Sequence, residues 1–268
     1  MRLSTVVRSI GLTVSNAVRV GLDPAAIPDP PVRLAWRVGR GDHRAIGEEL
    51  RRIVVGRAGL RPSDRLLDIG CGVGRLAAPL TRYLTAGSYE GFDIDAELVD
   101  WCRTNITRRH PRFRFRHVDL QSALYNPAGA APAAAFEFPY DSGSFTSVVA
   151  TSVFTHLLTA DAENYLRQAA RVLAPGGTLV ATFFLLDDAS EALMASGKAH
   201  LVFPAASGQM HRTLRTDRPE AAVAYPTAWL RKALTTAGFA GDPQIADGSW
   251  CGRSDTLTYQ DVVIARKG

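Results

Sequence analysis

The sequence predicts an α/β fold, a mostly parallel sheet covered by helices on both faces. Three observations carry that expectation. From residue 44 onward candidate strands alternate with candidate helices, the pattern that builds parallel sheets. The first strand runs into a glycine-rich turn, Gly70-Cys71-Gly72-Val73-Gly74. Successive strands end in a carboxylate, at Asp68, Asp93 and Asp119. A chain of 268 residues with 46% apolar side chains is long enough to bury one sizeable core.

Residues 3–20 place Leu3, Val7, Ile10, Val14 and Val18 at helical spacing, with Arg2, Arg8 and Arg19 elsewhere on the turn. This predicts an amphipathic helix that packs on the main domain or makes a weak basic contact with a membrane surface. Asp23-Pro24 and Pro28-Asp29-Pro30-Pro31 read as a stiff linker, because proline fixes φ and restricts its predecessor. Residues 1–43 are thus expected to be an N-terminal helical extension and 44–268 the main domain. Strands are predicted at 65–69, 89–94, 112–118, 146–151 and 178–184, with crossover helices at 75–84, 96–109 and 160–173. Pro175-Gly176-Gly177 should stop the last of these helices. Segments 120–144 and 186–225 exceed ordinary loop lengths and are candidate substrate covers. The Ala-rich run 128–135 reads as mobile, and Phe136, Phe138 and Tyr140 as anchors that return the chain to the core. A helix at 225–237 and a last strand at 257–265 complete the pattern.

The 31 basic and 26 acidic residues leave a formal charge of +5. All but Lys198, Lys232 and Lys267 of the basic residues are arginine, a bias that a GC-rich genome produces. No basic run is interleaved with aromatics, so no nucleic-acid partner is expected. No apolar run approaches the roughly 18 residues of a membrane helix. Cys71, Cys102 and Cys251 lie far apart without a CxxC pair or a secretory signal, which argues against a disulfide framework or structural zinc and for a reducing cytoplasm.

The chemistry gathers around the glycine turn. Glycine there accepts unusual φ values and lets a ligand approach the main chain, and the helix start beyond it offers free N–H donors. A dinucleotide fingerprint would need glycine where Arg75 stands, and no Gly-Lys-Ser/Thr follows for a triphosphate loop. Asp68 suits a cationic amine and would repel a pyrophosphate. Asp93 suits a ribose diol, since a carboxylate accepts from two hydroxyls at once, and Asp119 could accept from an exocyclic adenine amine.

Asp68-Ile-Gly-Cys-Gly-Val-Gly-Arg75, Gly91-Phe-Asp-Ile-Asp95, His117-Val-Asp-Leu120 and Arg171-Val-Leu-Ala-Pro-Gly-Gly177 resemble, in order and spacing, the class I S-adenosylmethionine-dependent methyltransferases over roughly residues 50–184. The resemblance implies a Rossmann-like seven-stranded sheet with its last strand antiparallel. It also implies S-adenosyl-L-methionine as cofactor, leaving as S-adenosyl-L-homocysteine, with no metal indicated. It assigns Asp68, Gly70, Gly72 and Gly74 to the methionine end, Asp93 with Ile94 to the ribose and adenine, and Asp119 with Leu120 to the adenine. Cys71 and Thr151 complete the cofactor-binding set. Ser152-Val-Phe-Thr-His-Leu157, Thr182-Phe-Phe-Leu-Leu186, Gly248-Ser-Trp-Cys-Gly-Arg253 and Tyr259-Gln-Asp261 look like a bacterial subgroup acting on small molecules, some of them glycans. The Asn/Asp-Pro-Pro-Tyr tetrapeptide of many nucleic-acid amino methyltransferases is missing.

A hydroxyl acceptor must lose its proton as the new bond forms, and histidine is the commonest group for that task. His156, just after the fourth strand, is the candidate general base; it could equally cap the helix that follows. His200 and His211 are further histidine candidates. Tyr140, His200, Trp250 and Arg253 are candidate substrate residues, Trp250 and Arg253 as a cradle for a sugar ring. Arg112, Arg114 and Arg116 share one face of the third strand, where charges on an edge discourage unwanted pairing. The expected activity is methyl transfer to a hydroxyl of a small molecule or saccharide. The alternatives are an N- or C-methyltransferase of a small metabolite and a non-catalytic cofactor-binding scaffold.

Overall fold

The computed structural model describes residues 23, 25–205, 208 and 210–268. The amphipathic helix expected over residues 3–20 lies outside them. In chain order the elements are α1 (Val32–Ala35), α2 (His43–Arg52), β1 (Arg65–Ile69), α3 (Ala77–Leu80), β2 (Ser88–Asp93), α4 (Ala96–Cys102), β3 (Phe113–His117), β4 (Leu120–Gln121), β5 (Ala131–Pro132), β6 (Phe145–Ala150), α5 (Thr159–Val172), β7 (Leu173–Phe183), β8 (Leu185–Leu186), α6 (Asp188–Ala195), β9 (Arg212–Thr213), β10 (Val223–Pro226), α7 (Thr227–Ala237), β11 (Phe239–Ala246) and β12 (Asp261–Lys267). Among the described residues the main sheet has seven strands in the order β11-β12-β7-β6-β1-β2-β3. β1 with β6, β6 with β7 and β2 with β3 run parallel, whereas β12 is antiparallel to both β7 and β11. That is the Rossmann-like arrangement expected, last strand reversed.

The described residues pack as two compact units, one formed by the chain up to Ser63 with Cys71–Val118, the other by Asp64–Gly70 with Asp119–Gly268. In the first, Tyr89 and Phe113 stack at 5.1 Å across β2 and β3, and Phe115 is buried beside them. Arg114 and Arg116 alternate with these rings and stay exposed on β3, the edge strand of the sheet. α2 starts at Asp42, whose carboxylate accepts from the Arg44 and Ala45 amides and satisfies donors that a helix start leaves free. The segment around α1 is fastened to the rest of the unit: Leu34 is buried against Val73 and Leu98, Arg37 pairs with Asp95 at 2.7 Å, and Arg33 pairs with Glu97.

In the second unit β1, β6, β7 and β12 each carry a buried apolar run, Leu66-Leu67, Val148-Val149-Ala150, Leu179-Val180-Ala181 and Val262-Val263-Ile264-Ala265, as strands covered on both faces must. α5 buries Ala162, Leu166, Ala169 and Ala170 at i, i+4, i+7 and i+8. The two long segments are structured. Within 186–225, β9 and β10 join β8 in a three-stranded sheet of order β8-β10-β9, and α6 begins with a reciprocal cap between Asp187 and Ser190. The Ala-rich run is pinned too, correcting the mobility expected of it: β5 pairs with β4, and Asn164 Nδ2 donates to the carbonyls of Ala133 and Phe136 at 2.8 and 2.9 Å.

Several boundaries differ from expectation, among them the last strand, which begins at Asp261 rather than at 257, and the helix expected over 96–109, whose α-helical part ends at Cys102. The helix predicted at 75–84 shrinks to Ala77–Leu80, within which Pro79 has no N–H to give. Pro175-Gly176-Gly177 does not precede its strand but bulges inside it: Leu173 already pairs with Phe145, and Ser147 next pairs with Thr178. Tyr225 belongs to β10, and the helix after it begins at Thr227, beyond Pro226.

Candidate active site

In the first unit the glycine turn meets the end of β2. Gly72, at φ +52°, donates its amide to Asp93 Oδ2 at 2.7 Å, and the Asp95 amide donates to Oδ1 at 2.9 Å. Cys71 N donates to the Phe92 carbonyl at 3.0 Å, which holds the turn against the strand. Burial raises the Asp93 carboxyl pKa, and the Asp95 and Gly72 amide bonds work against that shift. A carboxylate has more acceptor sites than these two amides use, so the chemistry fits a pair of hydroxyls and opposes a phosphate. The turn's own cation, Arg75, is committed elsewhere, donating to the Val38 carbonyl at 2.6 Å. Ile94 is half-buried, with its carbonyl 3.2 Å from His117 Nε2. Gly74 sits at φ +70°, and a Cβ there would come within 2.5 Å of Ile106 Cδ1, so the turn packs where a side chain has no room.

In the second unit β1 delivers Asp68, 2% exposed, to Gly70 at φ +68°. β6 delivers the half-buried Thr151 and then Ser152, whose φ of +57° is strained for a non-glycine residue. Hydrogen bonds hold that conformation. Ser152 N donates to Thr182 Oγ1 at 2.7 Å, and both hydroxyls donate to Gln260 Oε1, at 3.1 Å from Ser152 and 2.6 Å from Thr182. Asp119 is exposed and accepts from Asn126 Nδ2 at 3.0 Å, while the same amide reaches the carbonyl of the buried Leu120 at 3.0 Å.

His156 closes the one-turn helix Phe154–His156 after Ser152. Its Nδ1 lies 2.8 Å from the Glu220 carbonyl oxygen, and its Nε2 lies 3.3 Å from the Tyr125 hydroxyl. A carbonyl only accepts, so Nδ1 carries the proton and Nε2 presents a lone pair. Burial lowers the imidazole pKa, which keeps the ring neutral, and Glu220 opposes this in part. The Glu220 carboxylate accepts from Ser122 Oγ at 2.6 Å. Tyr125, Glu220 and Asn126 were not singled out from sequence; they come from two segments read as covers, and no local motif marks them.

Several predicted substrate residues sit elsewhere. Trp250 is wholly buried and donates Nε1–H to Asp261 Oδ2 at 2.7 Å, with Phe184 and Phe203 against its ring, so it cannot stack on a sugar. Arg253 is bound to both oxygens of Asp187 at 2.6 Å and is not a free cradle. Tyr140 packs edge-on against Phe145, 5.0 Å away at the amino end of β6, the end opposite Ser152 and His156. His200 is exposed and stacks parallel to Tyr259 at 6.1 Å, and His211 Nδ1 faces Thr159 Oγ1 at 2.7 Å.

Residues 67–181 match the family model described as a methyltransferase domain. The matched stretch is a methyltransferase domain. The chain is 36% identical over 127 residues to 27-O-demethylrifamycin SV methyltransferase of Amycolatopsis mediterranei (strain S699), covering 47% of this chain and 41% of that protein. It is 34% identical over 116 residues to the ubiquinone biosynthesis O-methyltransferase of Caulobacter sp. (strain K31), covering 43% and 39%. The chain thus spans about two fifths of the length of these curated relatives. Among solved structures, the methyltransferase domain resembles the Burkholderia thailandensis 1,6-didemethyltoxoflavin-N1-methyltransferase with bound 1,6-didemethyltoxoflavin and S-adenosylhomocysteine. The TM-score is 0.51 and the identity 17%, covering 97% of this chain and 89% of that one. Among the described residues no helix is long and apolar enough to cross a membrane.

Proposed function

We propose that this chain transfers a methyl group to a hydroxyl of a small molecule, a saccharide being one acceptor class. The observation that carries the proposal is the fixed tautomer of His156, with Nδ1–H given to the Glu220 carbonyl and Nε2 left to accept a proton. A neutral, desolvated imidazole beyond the carboxyl end of a central strand is what removal of a hydroxyl proton requires. The names of the two curated relatives above, both of oxygen methylation or its demethylated precursor, support a hydroxyl acceptor.

The cofactor, when bound, supplies a methyl group made electrophilic by a positively charged sulfur. Asp93 and Ile94 hold the ribose and adenine, and Asp119 and Leu120 the adenine. Asp68, Gly70, Cys71, Gly72 and Gly74 take the methionine end, and Thr151 contributes from the end of β6. The chain's remaining tasks are to orient the acceptor in line and to move one proton.

The test is incubation of the full chain with S-adenosylmethionine and a panel of phenols, aliphatic alcohols and methyl glycosides. A mass gain of one methyl group, located on oxygen by NMR, is the expected result. Methylation at nitrogen or carbon instead would remove the need for His156. Cofactor binding with no transfer to any class of acceptor would favour a scaffold.

A further inference from the structure

None of the sequence motifs named above contains Tyr125, yet its hydroxyl occupies the lone-pair side of His156 at 3.3 Å, and the rings meet edge-on at 88°. Tyr125 is 47% exposed, whereas His156 is largely covered. The phenol is the outward member of the pair, and the imidazole lies behind it. The segment carrying Tyr125 is held in that place by the same residue that orients the histidine. Glu220 accepts from the His156 ring through its carbonyl at 2.8 Å, and its carboxylate accepts from Ser122 Oγ at 2.6 Å and the Leu124 amide at 3.4 Å. Ser122 Oγ in turn accepts from the Tyr125 amide at 3.3 Å. One residue thereby sets both the base and the hydroxyl in front of it.

We infer that Tyr125 is a further catalytic residue, the acceptor-facing end of a Tyr125–His156–Glu220 proton relay; this rests on His156 being the base. As the acceptor oxygen takes the methyl group, its proton passes to Tyr125 Oη while the Tyr125 proton passes to His156 Nε2. The phenol is regenerated, and the positive charge lost from the sulfonium ends on the imidazolium. The two transfers are concerted, so no tyrosinate forms. The imidazolium then keeps its Nδ1–H bond to the Glu220 carbonyl, and the Glu220 carboxylate is the charged group acting on it. Asp161 of α5 also feels the Glu220 carboxylate, and His211 is turned to Thr159.

The test uses the full chain with 15N-labelled histidine and S-adenosylhomocysteine as the cofactor-site probe, with His156→Gln to identify the resonance. Long-range 15N–1H spectra should show Nδ1 protonated and Nε2 accepting. In Tyr125→Phe the pKa of that ring should rise, because the donor to its neutral form is gone. In parallel, methyl transfer to 4-hydroxybenzoate and to methyl α-glucoside is followed as hydroxyl probes. Tyr125→Phe should lower kcat by about 100-fold or more, the size ordinary for one proton-transfer group, with KM for S-adenosylmethionine unchanged. An unshifted His156 pKa in Tyr125→Phe overturns the relay whether or not the probes turn over. Full kcat in Tyr125→Phe beside an inactive His156→Gln overturns it while leaving His156 as base. Full turnover in His156→Gln instead sinks the base assignment itself.

Discussion

The Arg75 guanidinium donates to the Val38 carbonyl oxygen at 2.6 Å, and so ties the residue that follows the glycine turn to the segment around α1. A dinucleotide-binding turn needs glycine at the position of Arg75 so that helix and strand can approach closely. Here the long side chain reaches the opposite way, and Val38 covers Gly72, where a Cβ would come within 2.6 Å of Val38 Cγ1. Burial lowers the Arg75 pKa, which marks a charge held partly out of water in order to make this bond.

Arg75→Ala should release the segment. Faster protease cleavage between residues 31 and 45 is expected, with weaker binding of S-adenosylhomocysteine in calorimetry, since the covered turn carries the Gly72 amide that faces Asp93. Cleavage at the wild-type rate would show that the Leu34 packing and the Arg33 and Arg37 ion pairs hold the segment alone.

Asp93→Ala should abolish cofactor binding. The change removes the proposed acceptor for the two ribose hydroxyls and leaves the Gly72 and Asp95 amides without their partner. Each lost charge-assisted bond is worth about 1.5–3 kcal/mol, so a fall in affinity of at least about 100-fold is expected. Unchanged affinity for S-adenosylhomocysteine would remove the ribose assignment. Because burial raises this carboxyl's pKa, affinity in the wild type should also weaken as pH falls, starting above the usual aspartate range.

The positions of the strands along the chain and the glycine turn were legible because both rest on local chemistry, whereas the seven-stranded sheet with its last strand reversed came with the family resemblance. A short strand, Arg65 to Ile69, with the carboxylate of Asp68 next to last, then glycines at positive φ, is written within residues 65–74. The acids at Asp68, Asp93 and Asp119 could be placed for the same reason, each ending or following a strand. His156 could be named as a base but its partners could not. Tyr125 lies 31 residues away and Glu220 64 residues away, and neither pairing leaves a periodic trace. Trp250 reads from the sequence either as core or as one wall of a sugar cradle beside Gly248 and Gly252, and the structure makes it core. What draws the indole inside is Asp261 at the start of β12, a partner that spacing does not reveal.

His43 should give the fold an acid-sensitive phase. Burial and the nearby Arg75 push its pKa down to about 4, against 6.5 in an unfolded chain. Below pH 6.5 the unfolded chain therefore takes up the proton first, and stability is lost as pH falls from about 6.5 to about 4. At about 1.4 kcal/mol per pKa unit the ceiling is about 3 kcal/mol, reduced because the ring is only partly covered. Urea unfolding at pH 7.5 and pH 5 should show a larger loss for the wild type than for His43→Gln. Equal losses would contradict the burial of that ring.

Asp261 acts with the opposite sign, and Trp250 sets how strongly. Burial pushes the Asp261 carboxyl up to about 6, while the amides of Gly248 and Leu185 and the Trp250 N–H pull it down. A folded pKa above the unfolded 3.8 means that the contribution is full below pH 3.8 and is lost as pH rises through about 6. Trp250→Phe keeps most of the ring packing but deletes one donor to a carboxylate that is wholly buried. Loss of about 2–3 kcal/mol is expected at neutral pH, because a buried charged acceptor is left short of a partner. The loss should shrink at pH 5, where Asp261 can take up a proton. A sugar-stacking tryptophan would behave otherwise, altering KM for the acceptor with stability unchanged. Thermal unfolding of Trp250→Phe at the two pH values separates the two roles, and a variant as stable as the wild type at pH 7.5 would return Trp250 to the acceptor site.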